Sequence, residues 1–198
     1  LRDIYKTKTA GLFVSGGSGG WGNAGDGSTL SRSSPVWIGT TTKFAKVGGR
    51  RAIDTSGMLW AWGVNYYGGL GDGTTLGRSS PIQIGTSSWT AVTNNQWGTT
   101  YGIRSDGALF AWGLNDVGQL GDGTTVNKSS PVQVGTSSWT AVDVGIGIKT
   151  DGTLWGWGGN TYGQLGDGTT IDKSSPVQIG TSSWIFVAGS ASSKAAIR

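Results

Sequence analysis

Four aspartates stand in near-identical settings: Asp26 in GNAGDGST, Asp72 in GGLGDGTT, and Asp122 and Asp167 in two copies of GQLGDGTT. A carboxylate between glycines can serve as an acid or base, or as a ligand in a calcium loop, and the rest of the sequence argues against both. The chain has no histidine and no cysteine, and all 11 of its acidic residues are aspartate. Its many serines therefore lack any Ser-His or Cys-His couple, and carboxylates tied up in turns are poor acid–base pairs. A calcium loop needs acidic ligands at alternating positions, which these repeats lack. A turn remains: the carboxylate accepts from backbone N–H groups two or three residues on, and the flanking glycines supply positive φ at little cost. Asp106 and Asp151, in SDG and TDG, read as Asp-Gly hairpin turns. The expectation is a protein without catalysis, cofactor or metal.

Two other features could carry binding. Arg32, Arg78, Lys128 and Lys173 each follow the repeated aspartate by six residues. In a repeat array they would fall on equivalent points and form a basic arc. With a net charge of +4, such an arc could meet phosphate or a sulfated glycan, with affinity falling as salt rises. The same cations would also keep a strand edge soluble and unpaired. The second feature is the stretch TNNQWGTTYG at 93–102, which sets Asn95 and Gln96 beside Trp97 and Tyr101. Aromatic faces with amides suit a sugar or a protein partner, while core burial of the two rings is the competing expectation. Trp37, standing where Gln83, Gln133 and Gln178 occur in the other copies, reads as a cap or subunit contact.

The elements that would position these groups are written four times. The repeated aspartates recur at steps of 46, 50 and 45 residues, and Pro35, Pro81, Pro131 and Pro176 keep the same steps. Trp89, Trp139 and Trp184 mark SSW in three copies, and Phe44 replaces the tryptophan in the first. Periods of roughly 40 to 50 residues mark propellers, solenoids and other stacked arrays, in which one unit cannot bury its apolar faces alone. Residues 1–198 thus read as one domain of four repeats, approximately 11–56, 57–106, 107–151 and 152–198.

Composition agrees with a folded all-β chain. Glycine and proline, 38 and 4 of 198 residues, stay below the roughly 25–30% typical of low complexity, and there are 11 tryptophans to bury. Absence of cysteine excludes disulfides and thiolate metal sites without identifying a compartment. Nothing approaches about 18 consecutive apolar residues, and no signal-type apolar core opens the chain, so neither a membrane span nor an export signal is expected. The Leu1 start suggests a processed chain or an excerpt.

Within each unit, GMLWAWG, GALFAWG and GTLWGWG put Trp or Phe at one parity and Leu with a small residue at the other. Both faces are apolar or tiny, which implies a strand covered on both sides, as between adjacent blades. The GDG turn follows, then SSP with Val or Ile alternating with Gln, then SSWTAV, then YGIRS, IGIKT or KAAIR. Four short strands per unit are expected, each bounded by Gly, Pro, Asp or Ser turns.

The stretch DGTLWGWGGNTYGQLGDGTTIDKSSPVQIGTSSW at 151–184 closely resembles the repeat of the regulator-of-chromosome-condensation family, and the resemblance extends over 11–198. It implies a β-propeller of four-stranded antiparallel blades, usually about seven of them; this chain supplies four, either a closed ring or part of a larger propeller. The sequence departs from the family pattern at VGGRRAIDT and VDVGIGIKT, where the loops after Val47 and Val142 are short, and in the degenerate first repeat, where GLFVSGG replaces the Trp-rich strand. Repeats of this near-identical style resemble those of bacterial surface proteins and bacteriophage particles. The resemblance therefore implies a structural or attachment module on a virion or cell surface, whose partners are other subunits of an assembly and a surface glycan, with no membrane insertion and no nucleic acid. A free-standing carbohydrate- or protein-binding module is the alternative. A nuclear exchange-factor-like propeller fits less well, because blades are few and histidine is absent. Finally, DIYKTKTAG and KAAIR each echo the strand that precedes a new blade, leaving one copy over. One terminus is expected to meet another chain or a continuation of this one.

Overall fold

The computed structural model describes residues 12–14, 22–34, 36–38, 43–190 and 192–198. Among them there is no α-helix, and the strands are β1 (Leu12–Val14), β2 (Val36–Ile38), β3 (Phe44–Gly48), β4 (Arg51–Asp54), β5 (Met58–Gly63), β6 (Arg78–Asn94), β7 (Thr100–Arg104), β8 (Ala108–Gly113), β9 (Lys128–Asp143), β10 (Ile146–Lys149), β11 (Leu154–Gly158), β12 (Lys173–Gln178), β13 (Phe186–Gly189) and β14 (Lys194–Ile197). All pairings are antiparallel. A continuous run from β3 to β12 pairs each strand with its sequence neighbour, and β1–β2 and β13–β14 form separate two-stranded sheets.

The expected four short strands per unit need one correction. The SSP and SSWTAV segments are fused into single strands in β6 and β9, which are 17 and 16 residues long. The first half of β6 pairs with β5, opposing Gln83 to Trp60, and its second half pairs with β7, opposing Trp89 to Arg104. The pairing of β9 with β8 and then β10 repeats this. The fused strands carry the chain from one blade to the next across an irregularity in the pairing, where Gln83 and Ser88 face Trp60 and Met58 with a register shift between them, so GTSS is a bulged bend within one strand rather than a loop. In the last copy the break is real, between Gln178 and Phe186.

The blades bury each other as the two-sided apolar pattern requires. Trp62, Trp112 and Trp157 are essentially inaccessible, and so are Leu59, Leu109, Ala61 and Ala111 on the opposite parity. One core cluster joins Tyr101, Leu109, Ala111 and Trp139 with Trp157 from the last unit; another joins Leu59, Ala61 and Trp89 with Trp112 from the following unit. Trp89 packs against Gly102, where an added Cβ would meet the indole ring at 2.7 Å. A side chain there would evict the tryptophan. Strands β6, β9 and β13 are tied together at Asp143, which accepts from Thr93 Oγ1 at 3.0 Å and from the Gly189 N–H at 2.9 Å.

The short segments after Val47 and Val142 are tight hairpins, with Gly48 opposed to Arg51 and Asp143 opposed to Ile146. Between them, 95–99 forms the longer connection from β6 to β7. In the degenerate first repeat, β1 pairs with β2 and sets Phe13 opposite Trp37. The side chain of Trp37 and the segment DIYKTKTAG fall outside the described residues, whereas KAAIR forms β14, paired with β13.

Candidate functional site

The repeated aspartate is a structural bolt. Asp72 Oδ1 accepts from the Thr74 N–H at 3.0 Å and Thr74 Oγ1 at 2.8 Å, and Oδ2 accepts from Arg78 Nε at 2.8 Å. The same contacts recur from Ser28 and Arg32 to Asp26. Asp122 and Asp167 are bonded by Thr124 and Thr169 and ion-paired with Lys128 at 3.7 Å and Lys173 at 3.4 Å. The four cations of the expected basic arc, Arg32, Arg78, Lys128 and Lys173, each pair with a carboxylate of their own repeat, because the six-residue step brings the start of the strand back over the turn. Burial opposes ionisation of Asp167, but hydrogen bonds from Thr169, Asn160 and Lys173 outweigh it and hold the carboxyl near 2. At Asp72 burial is likewise overcome by the bonds from Arg78 and Thr74.

A residue the sequence reading passed over completes the bolt. Asn65, Asn115 and Asn160 are buried in the NYYG, NDVG and NTYG loops. Asn115 Oδ1 accepts from the Leu120 N–H at 2.9 Å, while Nδ2 donates to Asp122 Oδ1 at 3.2 Å and to the carbonyls of Thr124 at 3.0 Å and Val126 at 3.1 Å. One amide thus staples both sides of a long loop to its aspartate. The signal was present, since these asparagines keep the 50- and 45-residue steps.

The two aromatics of the 93–102 stretch have opposite fates. Tyr101 is fully buried, with its hydroxyl donating to the Gln119 carbonyl at 2.5 Å, the same oxygen that takes Trp157 Nε1 at 3.0 Å. It is a core residue, and burial pushes its phenol far above the usual range. Trp97 is 58% exposed. Asn95 holds that loop, its Oδ1 accepting from the Trp97 and Thr99 N–H groups at 3.0 and 2.9 Å.

Around this loop lies a hollow. A cavity of about 410 Å³ is lined by Tyr67, Asn95, Trp97, Asp116, Gln119 and Lys194, over a floor that includes Tyr101 and Trp157. Gln96 lines two neighbouring hollows, one of which also holds Tyr66, Tyr67 and Trp97. Burial lowers the Lys194 amine to about 8 against the opposing pull of Asp143. Strand direction puts the connections after β5, β8 and β11 at the same end as the β6–β7 loop. The exposed Tyr66, Tyr67, Trp97, Val117 and Tyr162 therefore all belong to that end.

The Regulator of chromosome condensation (RCC1) repeat profile matches residues 56–94, 106–148 and 151–197. The chain belongs to the RCC1 repeat family. Its degenerate first repeat is not among the matched segments, and no curated protein sequence matches the chain. Among solved structures, it is similar to yeast RCC1 (Prp20) bound to Kap60, at 17% identity and a TM-score of 0.76, over 92% of this chain and 48% of that one. Similarity to human WBSCR16 has 20% identity and a TM-score of 0.75, over 87% of this chain and 49% of that one. Prp20p from Saccharomyces cerevisiae, studied for its binding to Gsp1p and histones, gives 18% identity and a TM-score of 0.70, over 86% and 46%. The chain spans about half the length of these RCC1-type propellers, and the likeness establishes an all-β propeller fold of antiparallel blades.

Proposed function

We propose that this propeller is a non-catalytic attachment module, carried on a virion or a cell surface, that engages its partners through the end bearing the β6–β7 loop. The observation that carries the reading is the set of exposed rings on that end, Tyr66, Tyr67, Trp97 and Tyr162. Exposed aromatics gathered on one surface mark an interaction site. The carboxylates of the repeats, by contrast, are tied into turns, and histidine and cysteine are missing from the sequence. RCC1-type neighbours caught with or studied for protein partners make protein contact the natural mode. Virion or surface placement rests on the style of the repeats.

The reading is tested by coating beads with the protein and exposing them to cell envelopes before and after protease treatment. Attachment of the wild type, lost in a Tyr66→Ser, Tyr67→Ser, Trp97→Ser, Tyr162→Ser variant of unchanged circular dichroism, is the expected result. Equal attachment by the variant refutes the assignment to this end. Turnover of ester, glycoside, peptide or nucleotide substrates by the purified chain refutes the non-catalytic reading.

A further inference from the structure

We infer that the hollow beside Trp97 is a binding site for a neutral oligosaccharide. This deepens the attachment reading and rests on it only in placing the contact at the same end of the propeller. Three hollows converge on the 95–98 segment. The 410 Å³ cavity lies within the roughly 300–1,000 Å³ of small-ligand sites. A second of about 260 Å³ shares Tyr67 and Trp97 with it, and a third of about 320 Å³ shares Asn95 and Val144. They form a chain of adjoining compartments with the Trp97 indole between two of them, which suits a linear run of rings better than one compact ligand.

The unused hydrogen-bonding capacity matches hydroxyl groups. The side chains already make a defined set of bonds: Asn95 uses its carbonyl oxygen on the Trp97 and Thr99 N–H groups, Asp116 uses Oδ1 on Gln119 Nε2 at 2.7 Å, and Lys194 gives one N–H to the Ser190 carbonyl at 2.6 Å. Left over are Nδ2 of Asn95 and the remaining Lys194 N–H groups as donors, and Oδ2 of Asp116 as an acceptor. Donors and acceptors alternating around exposed ring faces fit sugar hydroxyls, each of which donates and accepts, and the C–H face of a pyranose can lie on Trp97 or Tyr67.

Charge selects the neutral class. The lining brings one ammonium, Lys194, together with two carboxylates, Asp116 and Asp143. The four cations of the repeats are paired with their own aspartates. A polyanion would meet net negative charge here.

The test is a titration of ¹⁵N-labelled protein with cello-, chito-, malto-, xylo- and manno-oligosaccharides, and with oligogalacturonate as the anionic probe, following the tryptophan indole resonances. At least one neutral probe should shift the Trp97 indole saturably. Its affinity should fall about thirtyfold in Trp97→Ala, the loss typical of a hot-spot aromatic, and stay unchanged in Arg78→Gln. The inference is overturned if no neutral probe moves that resonance, if binding survives Trp97→Ala, or if only oligogalacturonate binds. If the sugars fail while the ring-to-serine variant still abolishes bead attachment, the oligosaccharide site is wrong and attachment through a protein partner stands. Loss of both removes the two readings together.

Discussion

Replacing Asn115 by alanine should destabilise the protein by about 2–4 kcal/mol. The Leu120 N–H is buried and loses its acceptor at 2.9 Å. An orphaned buried donor costs about 1–3 kcal/mol. The Val126 carbonyl belongs to an exposed residue and the Thr124 carbonyl to a half-buried one, and both can turn to water, so their share is small. Asp122 loses its amide donor at 3.2 Å but keeps Thr124 and Lys128, which adds on the order of 1 kcal/mol. Asn115→Asp separates the two halves of the staple. Its carboxylate still accepts from Leu120 but directs a second oxygen at Asp122, so like charges meet. The new carboxyl's folded pKa is then raised, and stability is present below about pH 4 and lost as pH rises through the folded value. Urea midpoints measured at pH 7 and again near pH 5 read both effects. An alanine variant within about 0.5 kcal/mol of wild type, or an aspartate variant indifferent to pH, would refute the staple.

Other consequences follow from the same geometry. Trp112→Ala should lose about 3–5 kcal/mol, and Trp62→Ala about 1 kcal/mol less, because Trp112 Nε1 donates to the Gly69 carbonyl at 2.9 Å while Trp62 Nε1 has no partner; urea denaturation orders them, and equal small losses contradict inter-blade packing. Gly102→Ala should cost about 1–3 kcal/mol by forcing the Trp89 indole off its strand, seen as a lowered thermal midpoint. Wild-type stability should be flat near neutrality and fall as pH drops from about 5 toward about 2: folded-state carboxyl pKa values below the unfolded value near 3.9, as at Asp26, Asp72 and Asp167, give stability present above that value and lost below it. Acid titration by circular dichroism that shows no such loss would contradict the bolt.

The blade was legible because its signals are local and written several times. A two-sided apolar strand such as GALFAWG can only be covered on both faces, and the flanking Asp-Gly pairs fix where it turns. What the alternation did not reveal was that GTSS stays within one strand: Gly85 and Gly135, at φ 60° and 62°, lie where the pairing shifts register and then resumes. At the site, spacing located Arg78 and Lys128 but said nothing of their partner, because the pairing depends on the turn folding back in three dimensions. The opposite fates of Trp97 and Tyr101 follow from their places on the loop tip and on strand β7. Neither position shows in the composition of TNNQWGTTYG, where both rings stand among the same polar residues.

Two variants compared in one attachment assay test the account most directly: ring-to-serine changes at Tyr66, Tyr67, Trp97 and Tyr162, against Arg32, Arg78, Lys128 and Lys173 changed together to glutamine. If the loop end is the contact surface and the cations serve the turns, the first variant loses attachment at every salt concentration and the second retains it. Retention by the first with salt-sensitive loss by the second would contradict the account and return the binding role to the basic arc.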